Sequence, residues 1–311
     1  MSELVLNHLL GLQGIEPSKI YTILDTADEF LKVLDRPIPK VPPLRGITVA
    51  NIFFEPSTRT KISFELAEKR LSADVVSFSK SGSSVSKGET LLDTVRNIEA
   101  MKIDVVVIRH HAQGAPLFLT ERIKSAVINA GDGSHEHPTQ ALLDMMTIRG
   151  HTGGFEGLKV VVLGDIAHSR VARSNIHGLK AVGADVMVCG PSTLIPRDIE
   201  ALGVKISTDV DEALDWCDVI NVMRLQLERQ NQGYIPSLRE YQRTFGITKA
   251  RLDRIGRKIV VLHPGPMNRG VEIDSNVADA PGSVILQQVT HGVAIRMAVL
   301  FLISGKERTD A

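Results

Sequence analysis

The chain alternates between short apolar segments and longer amphipathic ones. Nine short segments rich in Val and Ile predict β-strands, and most are apolar throughout, as expected of strands covered on both faces. These strands are predicted over 47–54, 74–79, 104–108, 126–130, 159–164, 185–189, 204–206, 218–223 and 258–263. Helices are predicted over 18–34, 58–71, 90–101, 138–147, 170–182, 210–216 and 287–304. The alternation predicts an α/β fold with parallel sheets flanked by helices.

The strands form two sets, which predict two domains. Within residues 149–158 (RGHTGGFEGL), three glycines in five residues indicate a turn or boundary loop between the sets. The last helix has no strand after it and by pattern alone could close on either domain. We predict that it returns to the N-terminal domain, so that 1–137 and 288–311 form one domain and 138–287 the other. A length of 311 residues is sufficient for two cores.

Composition excludes several classes of protein. Lys plus Arg and Asp plus Glu are both 36, and zero net charge argues against broad nucleic-acid binding while allowing a small cationic pocket. No continuous apolar run approaches the roughly 18 residues that a membrane span needs. Cys189 and Cys217 form no CxxC pair and are predicted to be buried. Glu3 stands where a signal peptide would be basic, so we expect a cytoplasmic protein without a membrane partner.

The segment after the first strand concentrates groups that bind anions. In residues 55–61 (EPSTRTK), Pro56 and Ser57 suit the start of a helix, whose free N–H groups and dipole attract an anion. Ser57, Thr58 and Thr60 add hydroxyl donors, and Arg59 adds a guanidinium that matches phosphate. The plainer alternative is a capped helix with Arg59 in a surface ion pair. Four donor residues directly after a buried strand favour the anion site, because ligands gather at the carboxyl ends of strands.

Two further strands of the first set lead to polar side chains. Arg109 follows the strand over 104–108, where an unpaired charge is costly to bury. The strand over 126–130 leads to residues 134–140 (SHEHPTQ), in which Pro138 starts a helix. His135 and His137 have an H-x-H spacing, but without a third His, Cys or Asp close by we predict no metal site.

The second set of strands ends in a second polar group. Arg170 lies at a helix start after Gly164, and the missing G-x-G-x-x-G pattern disfavours a dinucleotide site there. Arg224 and Gln226 follow the strand over 218–223. The strand over 258–263 leads into residues 263–266 (HPGP), a rigid loop in which Gly265 permits close backbone approach to a ligand.

Taken in order, these motifs resemble the aspartate/ornithine carbamoyltransferase family, which transfers the carbamoyl group of carbamoyl phosphate to an amine. Residues 54–60 resemble its phosphate-binding signature and residues 137–140 its H-P-T-Q motif, and the resemblance covers about 9–302. It implies two parallel-sheet domains that close on their substrates, and no metal or organic cofactor. The carbamoyl phosphate-binding residues that it implies are Ser57, Thr58, Arg59, Thr60, Arg109, His137 and Gln140, with Arg59, Thr60, Arg109, His137 and Gln140 also catalytic.

The acceptor that the resemblance implies is L-aspartate, with N-carbamoyl-L-aspartate and phosphate as products in de novo pyrimidine biosynthesis. Arg224 and Gln226 resemble the aspartate-binding R-x-Q element, whereas the Ser-Met-Gly element of ornithine-specific relatives is absent. An arginine suits an acceptor with an extra carboxylate. The implied aspartate-binding residues are Lys87, Arg170, Arg224, Gln226, Gly265 and Pro266, with Gly265 standing where some relatives have Leu.

The resemblance also implies partners. Residues 81–89 (SGSSVSKGE) are small and polar and predict a loop. The simplest interpretation of Lys87 is a solvated side chain in that loop. By resemblance, Ser83 and Lys87 reach into a neighbouring subunit's active site, which requires a homotrimer. Members occur as bare trimers, with regulatory chains or with dihydroorotase, and residues 263–273 favour the last. Alternatives to this reading are an ornithine carbamoyltransferase, a non-catalytic phosphate-ligand sensor and an NAD-dependent dehydrogenase.

Overall fold

The computed structural model describes residues 6–79, 88–226 and 233–305. The chain divides into two compact units. Unit 1 comprises Met1–Gly11, Ser18–Thr139 and His291–Ala311, and unit 2 comprises Leu12–Pro17 and Gln140–Thr290. The predicted division after residue 137 differs from this by two residues. Leu12–Pro17, which we predicted in the first domain, belongs to unit 2. Leu12 packs closely against Gly178 in α6, where a larger side chain would place its Cβ 2.9 Å from Leu12 Cδ1.

All nine predicted strands are present. They are β1 (Thr48–Phe53), β2 (Asp74–Ser79), β3 (Val105–His110), β4 (Ala126–Asp132), β5 (Lys159–Leu163), β6 (Asp185–Cys189), β7 (Lys205–Ser207), β8 (Val219–Val222) and β9 (Val260–Leu262). The helices are α1 (Pro17–Leu34), α2 (Thr58–Arg70), α3 (Leu91–Glu99), α4 (Ala115–Thr120), α5 (Pro138–Thr152), α6 (Arg170–Ala181), α7 (Val210–Trp216), α8 (Leu238–Phe245), α9 (Lys249–Ile255), α10 (Ser275–Ala278) and α11 (Ile285–Ser304).

Unit 1 is built on a parallel sheet in the order β2-β1-β3-β4. Strands β1, β3 and β4 are buried because both faces are covered, which explains their continuous apolar character, whereas the edge strand β2 is partly exposed. Leu9 extends the sheet beside β4, where Asn129 N donates to Leu9 O at 2.8 Å. Because the strands run in one direction, the loops that precede α2 and α5 leave the same edge of the sheet.

The C-terminal helix returns to the N-terminal part of unit 1, as predicted. The rings of Phe301 in α11 and Phe30 in α1 meet edge to face at 5.7 Å. By length and composition α11 could cross a membrane, which differs from our expectation, but 61% of its apolar window is buried inside the protein. The core helix of a globular protein has the same character, so α11 is weak evidence for a membrane span.

Unit 2 is built on a second parallel sheet, in the order β7-β6-β5-β8-β9. Its core includes Cys189 and Cys217, which are both free and buried, as the sequence predicted. Burial raises the pKa of both thiols to about 12. These side chains therefore act as small apolar groups rather than nucleophiles.

The glycine-rich boundary begins later than predicted. Helix α5 continues through Gly150 to Thr152, and the turn comes at Gly153, whose φ is 80°. A glycine inside a helix costs about 1 kcal/mol relative to alanine, and the packing of an otherwise buried helix offsets that cost. The short helices α4, α8, α9 and α10 were not predicted.

A buried acidic side chain lies beneath the second half of α2. Glu68 is fully buried, and its two carboxyl oxygens lie 3.0 and 2.7 Å from Asn51 Nδ2 in β1. Burial raises the pKa of Glu68 to about 8, mainly because the charged form loses hydration. The neutral carboxyl is therefore the form that packs between α2 and the sheet at neutral pH.

Replacing Glu68 with Gln should change how stability depends on pH. A raised pKa in the folded state gives stability that is fully present below about pH 4.5 and is lost as pH rises through about 8. Glu68→Gln keeps the shape without the titration. We expect the melting temperature of the variant, measured by calorimetry, to rise relative to that of the wild type from pH 5 to pH 8. A constant difference over that range would contradict the buried, titrating carboxyl.

Candidate functional site

The start of α2 presents hydrogen-bond donors that the helix itself does not use. The first intrahelical bond is Lys61 N to Ser57 O at 3.1 Å, so the amides of Thr58, Arg59 and Thr60 precede the hydrogen-bonded ladder. Ser57 is the N-cap residue, but its hydroxyl makes no capping hydrogen bond. The first turn contains no acidic residue. This helix start therefore has the charge and the donors of an anion site.

Arg109 lies beside that helix start. It is the register partner of Phe53 in the adjacent strand, and Phe54 N donates to Arg109 O at 2.9 Å. The guanidinium donates from Nη1 to Ala130 O at 3.0 Å, and Nε lies 3.5 Å from Glu55 Oε2. These contacts hold a cation at the carboxyl edge of unit 1, next to the start of α2.

The loop between β4 and α5 is organised by a buried carboxylate. Asp132 accepts hydrogen bonds from Asn129 Nδ2 at 2.8 Å, Gly114 N at 2.8 Å and Glu136 N at 3.1 Å. His135 Nδ1 lies 3.0 Å from Asp132 Oδ2, so His135 belongs to this support rather than to a metal set. In residues 6–79, 88–226 and 233–305, no group of three His, Cys, Asp or Glu could hold a metal ion.

The same loop delivers His137 and Gln140. His137 is buried directly before Pro138, the first residue of α5, and Gln140 follows in the first turn of that helix. The boundary between the units falls between Thr139 and Gln140. His137 therefore belongs to unit 1 and Gln140 to unit 2, although only three residues separate them.

In unit 2, Arg170 is the first residue of α6 and is almost completely buried. Ser169 caps the helix by accepting a hydrogen bond from Ala172 N at 3.1 Å. A cation at a helix N-terminus opposes the helix dipole, so this placement does not stabilise α6. The dipole and the guanidinium instead combine to attract an anionic group.

A second buried carboxylate ties this helix start to the segment after β8. Asp165 accepts from His168 N at 3.2 Å, and from Gln226 N at 3.3 Å. His168 Nδ1 lies 2.8 Å from the same carboxylate. Gln226 is thereby held just after the carboxyl end of β8, which pairs directly with β5, and Arg224 lies two residues before it in the same segment.

The loop after β9 is held by a buried histidine. His263 Nδ1 accepts from Gly265 N at 2.8 Å, so the proton of the neutral ring lies on Nε2, which faces Glu272 Oε1 at 3.2 Å. Gly265 has a φ of 61°, a left-handed conformation that favours glycine, and its peptide bond to Pro266 is cis. The conformation of this loop therefore depends on the glycine at position 265.

A third buried carboxylate lies inside unit 2. Asp144 Oδ1 accepts from Gln140 Nε2 at 2.9 Å and Gln288 Nε2 at 2.8 Å, and Oδ2 accepts from Asn175 Nδ2 at 2.9 Å and Asn221 Nδ2 at 3.1 Å. Burial raises the pKa of Asp144, and the four amide donors oppose that rise.

The structure places the predicted residues in two groups, one in each unit. Ser57, Thr58, Arg59, Thr60, Arg109 and His137 lie in unit 1, and Gln140, Arg170, Arg224, Gln226, Gly265 and Pro266 lie in unit 2. Ser83 and Lys87 lie outside the described residues. Asp132, Asp144 and Asp165 were not predicted. A signal existed for Asp144, an acidic residue in a buried helix four positions after Gln140.

The fold and these groups define a two-domain α/β protein with a phosphate-type anion site in one unit and cationic side chains suited to carboxylates in the other. Family profiles match the same two parts of the chain. Residues 7–150 match the aspartate/ornithine carbamoyltransferase carbamoyl-P binding domain, and residues 156–303 match the Asp/Orn binding domain. The chain belongs to the aspartate/ornithine carbamoyltransferase family.

Individual relatives agree with this assignment. The chain is 62% identical to the aspartate carbamoyltransferase catalytic subunit of Gemmatimonas aurantiaca, with 96% of this chain and 93% of the relative covered. It is 58% identical to that of Cytophaga hutchinsonii, with 99% and 100% covered. Aspartate transcarbamoylase from Trypanosoma cruzi in complex with N-(phosphonacetyl)-L-aspartic acid matches with a TM-score of 0.87, 31% identity and 97% of each chain covered. The M. jannaschii catalytic subunit matches with a TM-score of 0.82, 35% identity, and 96% and 98% covered.

The unused hydroxyl of Ser57 allows the capped-helix interpretation to be separated from the anion site. Because Ser57 makes no capping bond, Ser57→Ala should change the free energy of unfolding by less than about 0.5 kcal/mol. The dissociation constant for inorganic phosphate, measured by calorimetry, should rise several-fold.

Ser237→Ala is the matched control for that measurement. Ser237 caps α8 by accepting from Glu240 N at 3.1 Å, so its loss should cost about 1 kcal/mol and leave phosphate binding unchanged. The anion-site interpretation fails if Ser57→Ala binds phosphate as tightly as the control does.

Proposed function

We infer that this chain transfers the carbamoyl group of carbamoyl phosphate to the amino group of L-aspartate. The products are N-carbamoyl-L-aspartate and phosphate, in de novo pyrimidine biosynthesis. The observation that carries this conclusion is near full-length similarity, at 62% and 58% identity, to aspartate carbamoyltransferase catalytic subunits. The two groups of cationic side chains supply the matching chemistry.

The phosphate end of carbamoyl phosphate is assigned to the start of α2. Ser57, Thr58, Arg59 and the helix N–H groups donate to the phosphate oxygens, and Arg109 adds a second cation. Thr60, Arg109 and His137 donate to the carbonyl oxygen, where negative charge develops as the amine attacks. The support for this assignment is the set of donors at the start of α2 that precede the helix's own hydrogen bonds, and the position of Arg109 beside them.

Aspartate is assigned to the cations of unit 2. Arg170 and Arg224 bind its two carboxylates, with Gln226, Gly265, Pro266 and Lys87 completing the contacts. Binding aspartate in this way orients its neutral amine for attack, and orientation can contribute several kcal/mol to the rate. The departing phosphate takes up the amine proton, so the reaction requires no protein base and His137 serves as a donor.

Product analysis with two acceptors tests the function. Purified protein should form carbamoyl-aspartate from carbamoyl phosphate and aspartate, and no carbamoyl-ornithine from ornithine. Carbamoyl-ornithine would overturn the acceptor, and binding of carbamoyl phosphate without either product would favour the sensor.

Arg224→Ala tests the acceptor site itself. Losing a hydrogen-bonded cation should raise the KM for aspartate by about 10- to 100-fold and leave the KM for carbamoyl phosphate within about twofold. Arg269→Ala is the control, because Arg269 pairs with Asp279 at 2.6 and 2.8 Å on the surface. Equal effects of Arg224→Ala on both KM values would contradict the assignment.

We propose in addition that the active form is a homotrimer with shared active sites. An apolar surface in unit 1 supports a subunit interface, because Ile62 and Leu66 on α2 and Val76 on the edge strand β2 are all exposed. Residues 80–87, which include Ser83 and Lys87, directly follow β2 in the chain. An interface on this surface would carry them toward a neighbouring subunit.

Mixing two inactive variants tests the shared site. Lys87→Ala and Arg109→Ala should each be inactive, because each lacks one part of every site. Mixed trimers, formed by dissociation and reassociation, should regain activity, because some sites combine an intact Lys87 with an intact Arg109 from another subunit. If each chain holds a complete site, the mixture stays as inactive as its components.

A further inference from the structure

The hydrogen bonds of the buried Asp144 side chain determine which atom of the Gln140 amide can contact a carbamoyl group. A carboxylate only accepts hydrogen bonds, so each amide that contacts it must turn its NH₂ group inward. Gln140 does so at 2.9 Å, which directs its Oε1 away from Asp144. Gln140 Oε1 is therefore the atom that can accept a hydrogen bond from a ligand at the start of α5.

The orientation of the Gln140 amide suits the NH₂ group of carbamoyl phosphate. Its carbamoyl group carries an NH₂ that can only donate, whereas the otherwise similar acetyl phosphate carries a methyl group at that position. An acceptor held in place recognises the first and gains nothing from the second. A Gln140 free to turn would present its own NH₂ half of the time and would lose that distinction.

We propose that Asp144 is a positioning residue that makes the site selective for the amino group of carbamoyl phosphate by fixing the orientation of the Gln140 amide. The proposal rests on the function inferred above and adds a specificity determinant to it. Asp144 acts on carbamoyl phosphate through Gln140 and does not itself touch substrate.

The rest of the network prevents Asp144 itself from turning. Gln288 donates Nε2 to Asp144 Oδ1 at 2.8 Å, while its Oε1 accepts from His263 N at 3.0 Å. Gln288 cannot rotate without losing both bonds. The oxygen that receives Gln140 is thereby kept an acceptor, and the same chain of bonds anchors the first residue of the 263–266 loop.

Two variants of similar size separate orientation from simple loss of packing. Asp144→Leu removes the acceptor and frees Gln140 to turn. Asp144→Asn keeps an acceptor, because Gln288 selects the Asn Oδ1 and leaves the Asn NH₂ to face Asn175 and Asn221. The Oδ1 atoms of those two side chains have no hydrogen-bond partner in the described part of the chain, so they can accept after rotation.

The measurement is the KM for carbamoyl phosphate together with the inhibition constant of acetyl phosphate. In Asp144→Leu we expect the KM to rise about tenfold or more, while the acetyl phosphate constant changes by less than about twofold. In Asp144→Asn the ratio of the two constants should stay near the wild-type value. Thr147→Val is the control, because it also replaces a buried polar residue of α5, and it should leave the ratio of the two constants unchanged.

Each outcome decides the proposal. If Asp144→Leu folds and weakens both ligands equally, or neither, Asp144 has only a structural role. If Asp144→Leu does not fold, Asp144→Ser replaces it. The smaller side chain leaves space for a water, which can accept or donate and so allows the Gln140 amide to rotate. The same loss of selectivity is expected. Wild-type enzyme in the same assay keeps the two failures apart. Without carbamoyl-aspartate from the wild type the function itself fails, whereas wild-type turnover with an unchanged ratio in the variant refutes only the role of Asp144.

Discussion

A carboxylate accepts hydrogen bonds and cannot donate them, and the candidate site residues of each unit depend on this constraint. Asp132 gathers the loop that leads to His137, and Asp165 joins the start of α6 to the segment of Gln226. Asp144 does the same for α5, α6, β8 and α11. Each carboxylate converts several separate chain segments into one arrangement, because every partner must present a donor to it.

The number of donors decides what each buried acid can do. The two carboxyl oxygens of Asp144 accept from four amide donors, which satisfy their lone pairs. Each of these hydrogen bonds lowers the pKa of Asp144, against the rise that burial causes. Among the described residues, the amide of Asn51 is the donor to Glu68, and burial raises the pKa of Glu68 to about 8. Glu68 therefore serves packing as a neutral group, whereas the geometry of Asp144 sets the orientation of four neighbouring amides.

Local pattern predicted the fold and supplied most residues of the candidate site, and it missed the contacts between residues that are distant in the sequence. The nine strands were predictable because two covered faces require Val- and Ile-rich segments, and Arg109 and Arg170 because cations at strand ends and helix starts are rarely core. The short helices from α8 to α10 lack a long apolar period. Asp144 and Gln288 lie 144 positions apart in the chain, so no local spacing predicts that they meet.

Zero net charge is compatible with binding two anionic substrates because the cations are concentrated where the backbone is already positive. Neither α2 nor α6 has an acidic residue in its first turn, and Arg59 and Arg170 stand there instead. This placement works against each helix dipole and so does not serve helix stability. It adds to the positive potential at the start of each helix, so a bound anionic substrate would also stabilise the helix that holds it.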